Sequence, residues 1–251
     1  MGAYILRRIG LALIALFLVS LMIFAAATVL PGSVGRAILG PFADPESVRL
    51  LNKELGLSGP FIDRYWSWVH HAVVLDFGNS YQYRGSPVTD FLWTALGNSL
   101  ELALLILVIV VPLAIVGGTF AALYPGRLAD RSITIAGLTL AVTPEIVTGV
   151  VLIVIFAVKL GWFPASTPQY SGALDKLHAM LLPAITEVAV LFGYIARMAR
   201  AGTLEALRAD YTRTATLKGL PRGVVLRRHV LRNSLLPTIA VVATQAGFLL
   251  G

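Results

Sequence analysis

"NSLELALLILVIVVPLAIVGGTFAALYPGR", residues 98–127, holds no charged side chain between Glu101 and Arg127. A run of roughly 18 or more apolar residues is long enough to cross a bilayer as a helix. The apolar residues fill the run, where a helix lying on a soluble core would show them as a stripe. Pro112 sits inside it, a placement a membrane helix tolerates when neighbouring groups satisfy the freed carbonyl. The run closes on the polar segment "YPGRLADRS", 124–132.

Four comparable blocks flank it. The first covers 9–30, after Arg7 and Arg8, and ends at Pro31-Gly32. Its "RR" and "FAAATV" resemble a signal peptide, but the apolar run exceeds the 7–15 residues of such a core, so a retained helix is expected. The others lie at about 133–158, interrupted by Thr143-Pro144; about 181–199, opened by Pro183; and from near Ser234 to Gly251. The whole chain is 57% hydrophobic and 13% charged, against about 25% charged in an ordinary soluble domain. An all-α polytopic membrane protein with five visible spans follows. With zero Cys, disulfides and thiolate metal sites are excluded.

Residues 31–96 are polar, with helical spacing in "DPESVRLLNKELGLSGPFIDRYWSWVHHAV" and Gly-Pro breaks. They read as a small, partly helical segment outside the membrane. The organisation expected is 1–30 as N-terminus and first span, 31–96 as an extracytoplasmic segment, and 97–251 as the main membrane domain. Basic residues set the orientation. The N-terminus and 124–132 carry two Lys or Arg each, and 197–233 carries nine. By contrast 31–96 carries five against six acidic residues, and 159–180 carries two. That pattern puts the N-terminus, 124–132 and the loop 203–233 in the cytoplasm.

"RTATLKGLPRGVVLRRH", 213–229, packs five Lys and Arg residues into this loop. The preceding "TLEALRADYTRTATLKG" is rich in helix formers and meets Gly219 where a helix wants a left-handed residue. Lys218 is placed to favour the helix C-terminus. Leu220-Pro221 forbids continuation, and "VVLRRHVLRN" reads as a second helix. The architecture is a rigid cytoplasmic projection. Arg227, Arg228 and Arg232 are read as lying on membrane lipid or another phosphate surface. Nucleic acid is disfavoured, because aromatic interleaving and any DNA-binding motif are missing.

"DYTRTATLKGLPRGVVLRRHVLRNSLLP" resembles the cytoplasmic coupling loop of binding-protein-dependent ABC transporter permeases. The general signature there is Glu-Ala-Ala, three residues, Gly, nine residues, Ile-x-Leu-Pro. Ala215, Gly219 and Leu231 match it; Arg213, Thr214, His229 and Arg232 depart from it. The departures resemble the dipeptide and oligopeptide subfamily, as do "YILRRIGLAL", "DFGNSY", "NSLELALL" and "LGWFPAS". The resemblance implies a type I importer permease fold and one half of a translocation pathway for dipeptides or oligopeptides. Some relatives instead carry nickel complexes or other small solutes.

It implies a second homologous permease, two cytoplasmic ATP-binding subunits holding ATP and Mg, and an extracytoplasmic solute-binding protein in the cell inner membrane. The chain itself is expected to bind no cofactor and to catalyse no reaction; it lacks G-x-x-x-x-G-K-[ST], the motif that cradles ATP. Tyr211, Arg213, Thr214, Ala215, Lys218, Gly219 and Leu220 are the residues to which the resemblance assigns contact with the ATPase. Because such permeases continue to a sixth span, five of six are expected here, and a longer natural chain.

Glu145 stands in the middle of the third block, where an ionisable residue faces a cavity or a partner. It reads either as a pathway group able to meet a peptide ammonium or as a structural group at the Pro144 break. Glu101 and Glu187 lie nearer block ends and read as positional. His70-His71 are adjacent and lack the i,i+4 spacing of a ligand pair. Ser171, Asp175 and His178 could suggest a hydrolase triad, but no nucleophile motif surrounds them. A stand-alone ion-coupled carrier or membrane enzyme is the other class; a carrier would show repeat halves and several intramembrane charges.

Overall fold

The structure, a computed structural model, describes residues 2–29, 34–80, 83, 85–166 and 172–250. Pro31, Gly32, Tyr81, Ser171 and Gly251 lie outside the described residues. The chain forms two compact units, Met1–Ala95 and Leu96–Gly251.

In the first unit, α1 (Gly2–Val29) has no buried residue in its most apolar window, as a lipid-facing helix should. α2 (Val34–Leu39) and α3 (Pro45–Glu54) follow, joined by the Gly35 N–H donating to Asn52 Oδ1 at 2.9 Å. α3 starts where Asp44 accepts from the Ser47 N–H and Pro45 takes the first turn, which needs no amide hydrogen. α4 (Phe61–Val73) packs on α1 through aromatic rings around Tyr65, which is 3% exposed. Phe24 meets Tyr65 edge-on at 5.5 Å, and the Tyr65 hydroxyl bonds Ser20 Oγ at 2.8 Å. Such ring pairs add about 0.5–1.5 kcal/mol each beyond area burial. The expected partly helical segment after the first span is therefore present as α2 to α4.

The second unit is organised around one helix. α5 (Val88–Leu123) supplies Ile106, Val110 and Ala114 to a core completed by Ala184, Val188, Leu191, Ile195 and Ala196 of α8 (Ala173–Arg208). α8 also packs against α6 (Leu128–Val142), α7 (Glu145–Leu152) and α11 (Leu231–Leu250). Lipid tails are as apolar as leucine, so helices in a membrane associate through close packing of small residues. Gly137 of α6 and Gly193 of α8 touch backbone to backbone, and a Cβ on Gly137 would sit 2.9 Å from Gly193 Cα. Further along α8, a Cβ on Gly202 would overlap the Ser234 carbonyl.

Among the described residues four helices, α1, α5, α8 and the run Arg222–Leu250, are long and apolar enough to span a bilayer. The third block differs from a simple interrupted span. α6 and α7 meet at a 105° bend, and together count as a fifth span if the bend is a break within it. Thr143 before Pro144 is extended (φ −77°, ψ 130°), as proline demands of its predecessor. α7 then widens into a π-helix, Ile153–Lys159.

Two expectations need correction. Pro183 does not open the fourth span: it lies inside α8, which begins at Ala173. Asp175 and Lys176 made 173–182 look too polar to join an apolar block, but Lys176 is neutralised by an ion pair with Glu101. The helix that carries the fifth span likewise begins before the apolar block near Ser234. A continuous helical run starts at Arg222, because α10 (Arg222–Val224), a π-helix (Val225–Val230) and α11 follow without a break.

Candidate functional site

The loop that sequence reads as a projection is an elbow with two corners. α8 ends at Arg208, and Ala209 turns extended (φ −68°, ψ 146°) before α9 (Asp210–Leu217). The buried Thr212 hydroxyl donates to the Ala206 carbonyl at 2.7 Å, tying the new helix to the old one. At the second corner the Gly219 N–H donates to the Thr216 carbonyl (3.0 Å) and the Leu220 N–H to the Ala215 carbonyl (3.4 Å). That pair of bonds is the Schellman closure, and it requires a left-handed residue, supplied by Gly219 at φ 76°. Pro221 then caps α10. Ala206, Ala215, Val225 and Val230 form a small core inside the elbow.

Its outer surface is apolar and basic. Tyr211 is 41% and Leu217 79% exposed, with Leu220, Arg213, Thr214, Lys218 and Gly219 also outward. Ala215 is buried. A Cβ at Gly219 would meet nothing within 4 Å. The sequence-assigned residues thus divide into six that face outward and one, Ala215, that holds the elbow together.

A second feature lies among the membrane helices of the same unit. A cleft of about 690 Å³ is bounded by α5, α7, α8 and α11, with Ile106, Gly149, Thr186 and Phe248 on its walls. Glu145, first residue of α7, opens into it, and so does Glu187 of α8. Both carboxylates line this one cleft, and no ion pair among the described residues neutralises either.

Residues 114–251 match the family described as "Binding-protein-dependent transport system inner membrane component". Residues 1–101 match "Binding-prot-dependent transport system membrane comp, N-term". The chain belongs to this permease family. The glutathione transport system permease protein GsiC of Escherichia coli (strain K12) is 34% identical over 251 residues, which cover 99% of this chain and 79% of that protein. The proteins of the same name from Shigella dysenteriae serotype 1 (strain Sd197) and Shigella flexneri serotype 5b (strain 8401) match over the same shares. The all-α polytopic reading and the resemblance to ABC importer permeases both hold.

Sequence reasoning missed two features of the permease. Glu187 was read as positional near the end of a span; with α8 starting at Ala173 it lies well inside the helix and on the cleft. Asp130 was not singled out. It receives Arg200 Nε at 2.6 Å and Nη2 at 2.9 Å, and also the Gly126 N–H at 2.8 Å. This bidentate pair links the start of α6 to α8, and only its partner seventy positions away reveals it. Glu101, on α5, forms an ion pair with Lys176 of α8. His71 Nδ1 is engaged by the Ser67 carbonyl at 2.7 Å, and His178 Nε2 by the Trp162 carbonyl at 2.8 Å.

Proposed function

We propose that this permease forms half of an ATP-driven import pathway for short peptides. It would pair with a second homologous permease, two cytoplasmic ATP-binding subunits that hydrolyse ATP with Mg, and an extracytoplasmic solute-binding protein. The observation that carries the reading is the elbow. It is locked at both corners by its own hydrogen bonds, yet leaves Tyr211, Leu217 and Leu220 exposed on its outer face. A lever of that kind passes on a push without bending. The relatives are named for glutathione, itself a tripeptide, which supports a short peptide as the substrate class.

Tyr211, Arg213, Thr214, Lys218, Gly219 and Leu220 would meet the ATPase, with Ala215 keeping the lever stiff. Gly219→Val should lower receptor-stimulated ATP hydrolysis in the reconstituted importer, while neutralising Arg227, Arg228 and Arg232 should spare coupling. Normal stimulation in Gly219→Val would overturn the coupling assignment. The N-terminus is placed in the cytoplasm with 31–96 outside, on the loop charge asymmetry. Single cysteines at Ser58 and Arg222 should label from opposite sides of the membrane; labelling from one side would reverse that reading.

The cleft supports a pathway role for Glu145, now with Glu187 beside it. Two carboxylates in a low-dielectric wall favour a cationic group such as a peptide ammonium. Glu145→Gln and Glu187→Gln should each lower uptake of peptides with a free amino terminus, and affect N-acetylated ones less. Equal losses for both substrate types would mark the pair as structural.

A further inference from the structure

Helix α4 carries more apolar surface than α1 covers. At about 100° per residue, Trp68, Phe61, Tyr65, Ile62 and Trp66 fall on one arc ~160° wide, and Asp63, Ser67 and His70 fall opposite. α1 occupies one side of that arc, where Phe24 meets Phe61, Tyr65 and Trp68 at 5.5, 5.5 and 5.9 Å. On its other side Ile62 is 65%, Trp66 56% and Val73 77% exposed. The helix also ends in an unusual way. Leu75 is the one residue other than glycine, among the described residues, with a left-handed backbone (φ 61°). Its N–H donates to the Ala72 carbonyl at 3.0 Å and the Asp76 N–H to the His71 carbonyl at 2.9 Å, the closure that glycine ordinarily serves. A leucine there strains the backbone, and its side chain is exposed, as are those of Val73 and Val74 before it. In water a glycine would serve better on both counts.

The height of the contact on α1 says what covers this surface. The apolar run of α1 starts just after Arg8, and Phe17 and Phe24 stand ~14 and ~24 Å along it at about 1.5 Å per residue. Both levels lie inside a hydrocarbon layer about 30 Å thick. We propose that α4 is an interfacial helix in the leaflet opposite Arg7 and Arg8. Ile62, Trp66, Val73 and Leu75 lie among lipid acyl chains, and Asp63, Ser67 and His70 turn toward water, the division that holds an amphipathic helix in the plane of a membrane surface. The segment 31–96 is then partly seated in the bilayer along α4. The placement rests on α1 as a span, and only the choice of the outer leaflet rests on the orientation proposed above.

The chain has no cysteine, so a nitroxide can be placed singly through Ile62→Cys, Val73→Cys, Asp63→Cys or Ser67→Cys in the intact importer in liposomes. All four side chains are exposed, so the labels should leave the fold intact. Relaxation of each nitroxide is then measured with oxygen, which concentrates in hydrocarbon, and with a water-soluble nickel chelate. The ratio of oxygen to chelate collisions should be several-fold higher at Ile62 and Val73 than at Asp63 and Ser67. Equal ratios at all four positions would place α4 in water and overturn the proposal. Few collisions with either agent at Ile62 and Val73 would also overturn it, because another protein surface would then cover the arc. The ratio does not depend on which leaflet holds α4, so labelling of Ser58 and Arg222 from one side would defeat the proposed orientation and not this placement.

Discussion

Two glycines in this permease do opposite work. Gly193 lies inside α8 with ordinary helical backbone, and its missing side chain lets Gly137 of α6 come into backbone contact. Gly219 lies in open space, with nothing within 4 Å of where a Cβ would stand, but at φ 76°. The first is required by what is next to it; the second by the shape of its own backbone. The membrane bundle is thus held by proximity between distant segments, and the elbow by local conformation. This difference tells which substitutions should unfold the protein and which should leave it folded but uncoupled.

The largest effect should come from Gly193→Ala. Alanine is the better helix former by about 1 kcal/mol, so any loss is due to packing alone. A methyl group overlapping the Gly137 carbonyl must push α6 away from α8, and overpacking of this kind costs about 1–3 kcal/mol or more. Melting of the detergent-solubilised protein should drop by many degrees, or little folded protein should be recovered. An unchanged melting temperature would break the contrast.

Asp130→Asn should come next. It strips Arg200 of a bidentate partner between α6 and α8. Breaking a buried pair costs about 3–5 kcal/mol; because the Arg200 side chain remains 29% exposed, about 2 kcal/mol is expected here. A double-mutant cycle with Arg200→Gln measures it, and additivity of the two changes would show that the pair contributes nothing.

Gly219→Ala should be the mildest of the three, about 1 kcal/mol of local backbone strain confined to the α9 corner. Thermal melting should barely move, while the stimulation of ATP hydrolysis by loaded receptor should fall. If instead Gly219→Ala destabilises the fold as much as Gly193→Ala, the elbow is part of the folding core and cannot be read as a separate lever.

The features legible from sequence are those a short window contains. An uncharged run from Glu101 to Arg127 must find a bilayer, because nothing else offers that much apolar surroundings to a helix. The stop at Gly219-Leu220-Pro221 is equally local: a left-handed glycine and a proline close a helix by themselves. The corner at Ala209 carried no such mark. It depends on the Thr212 hydroxyl reaching Ala206 across a break that no glycine or proline announces. The prolines show the same limit. Pro112, Pro183 and Pro237 stay within continuous helices while Pro144 stands at a 105° bend, and nothing near them in the chain separates the cases.

What the amino-acid sequence determined alone was membrane residence, the approximate apolar blocks and the helix stop in the elbow, since each follows from free energies summed over neighbouring residues. The tertiary structure decided the contact of Gly137 with Gly193, the pairing of Asp130 with Arg200 and the shared cleft of Glu145 and Glu187. In each of these the partner is far away along the chain. Its identity becomes physical only when α8 is laid against α6 and α7, because close packing and Coulomb attraction act over ångströms in space.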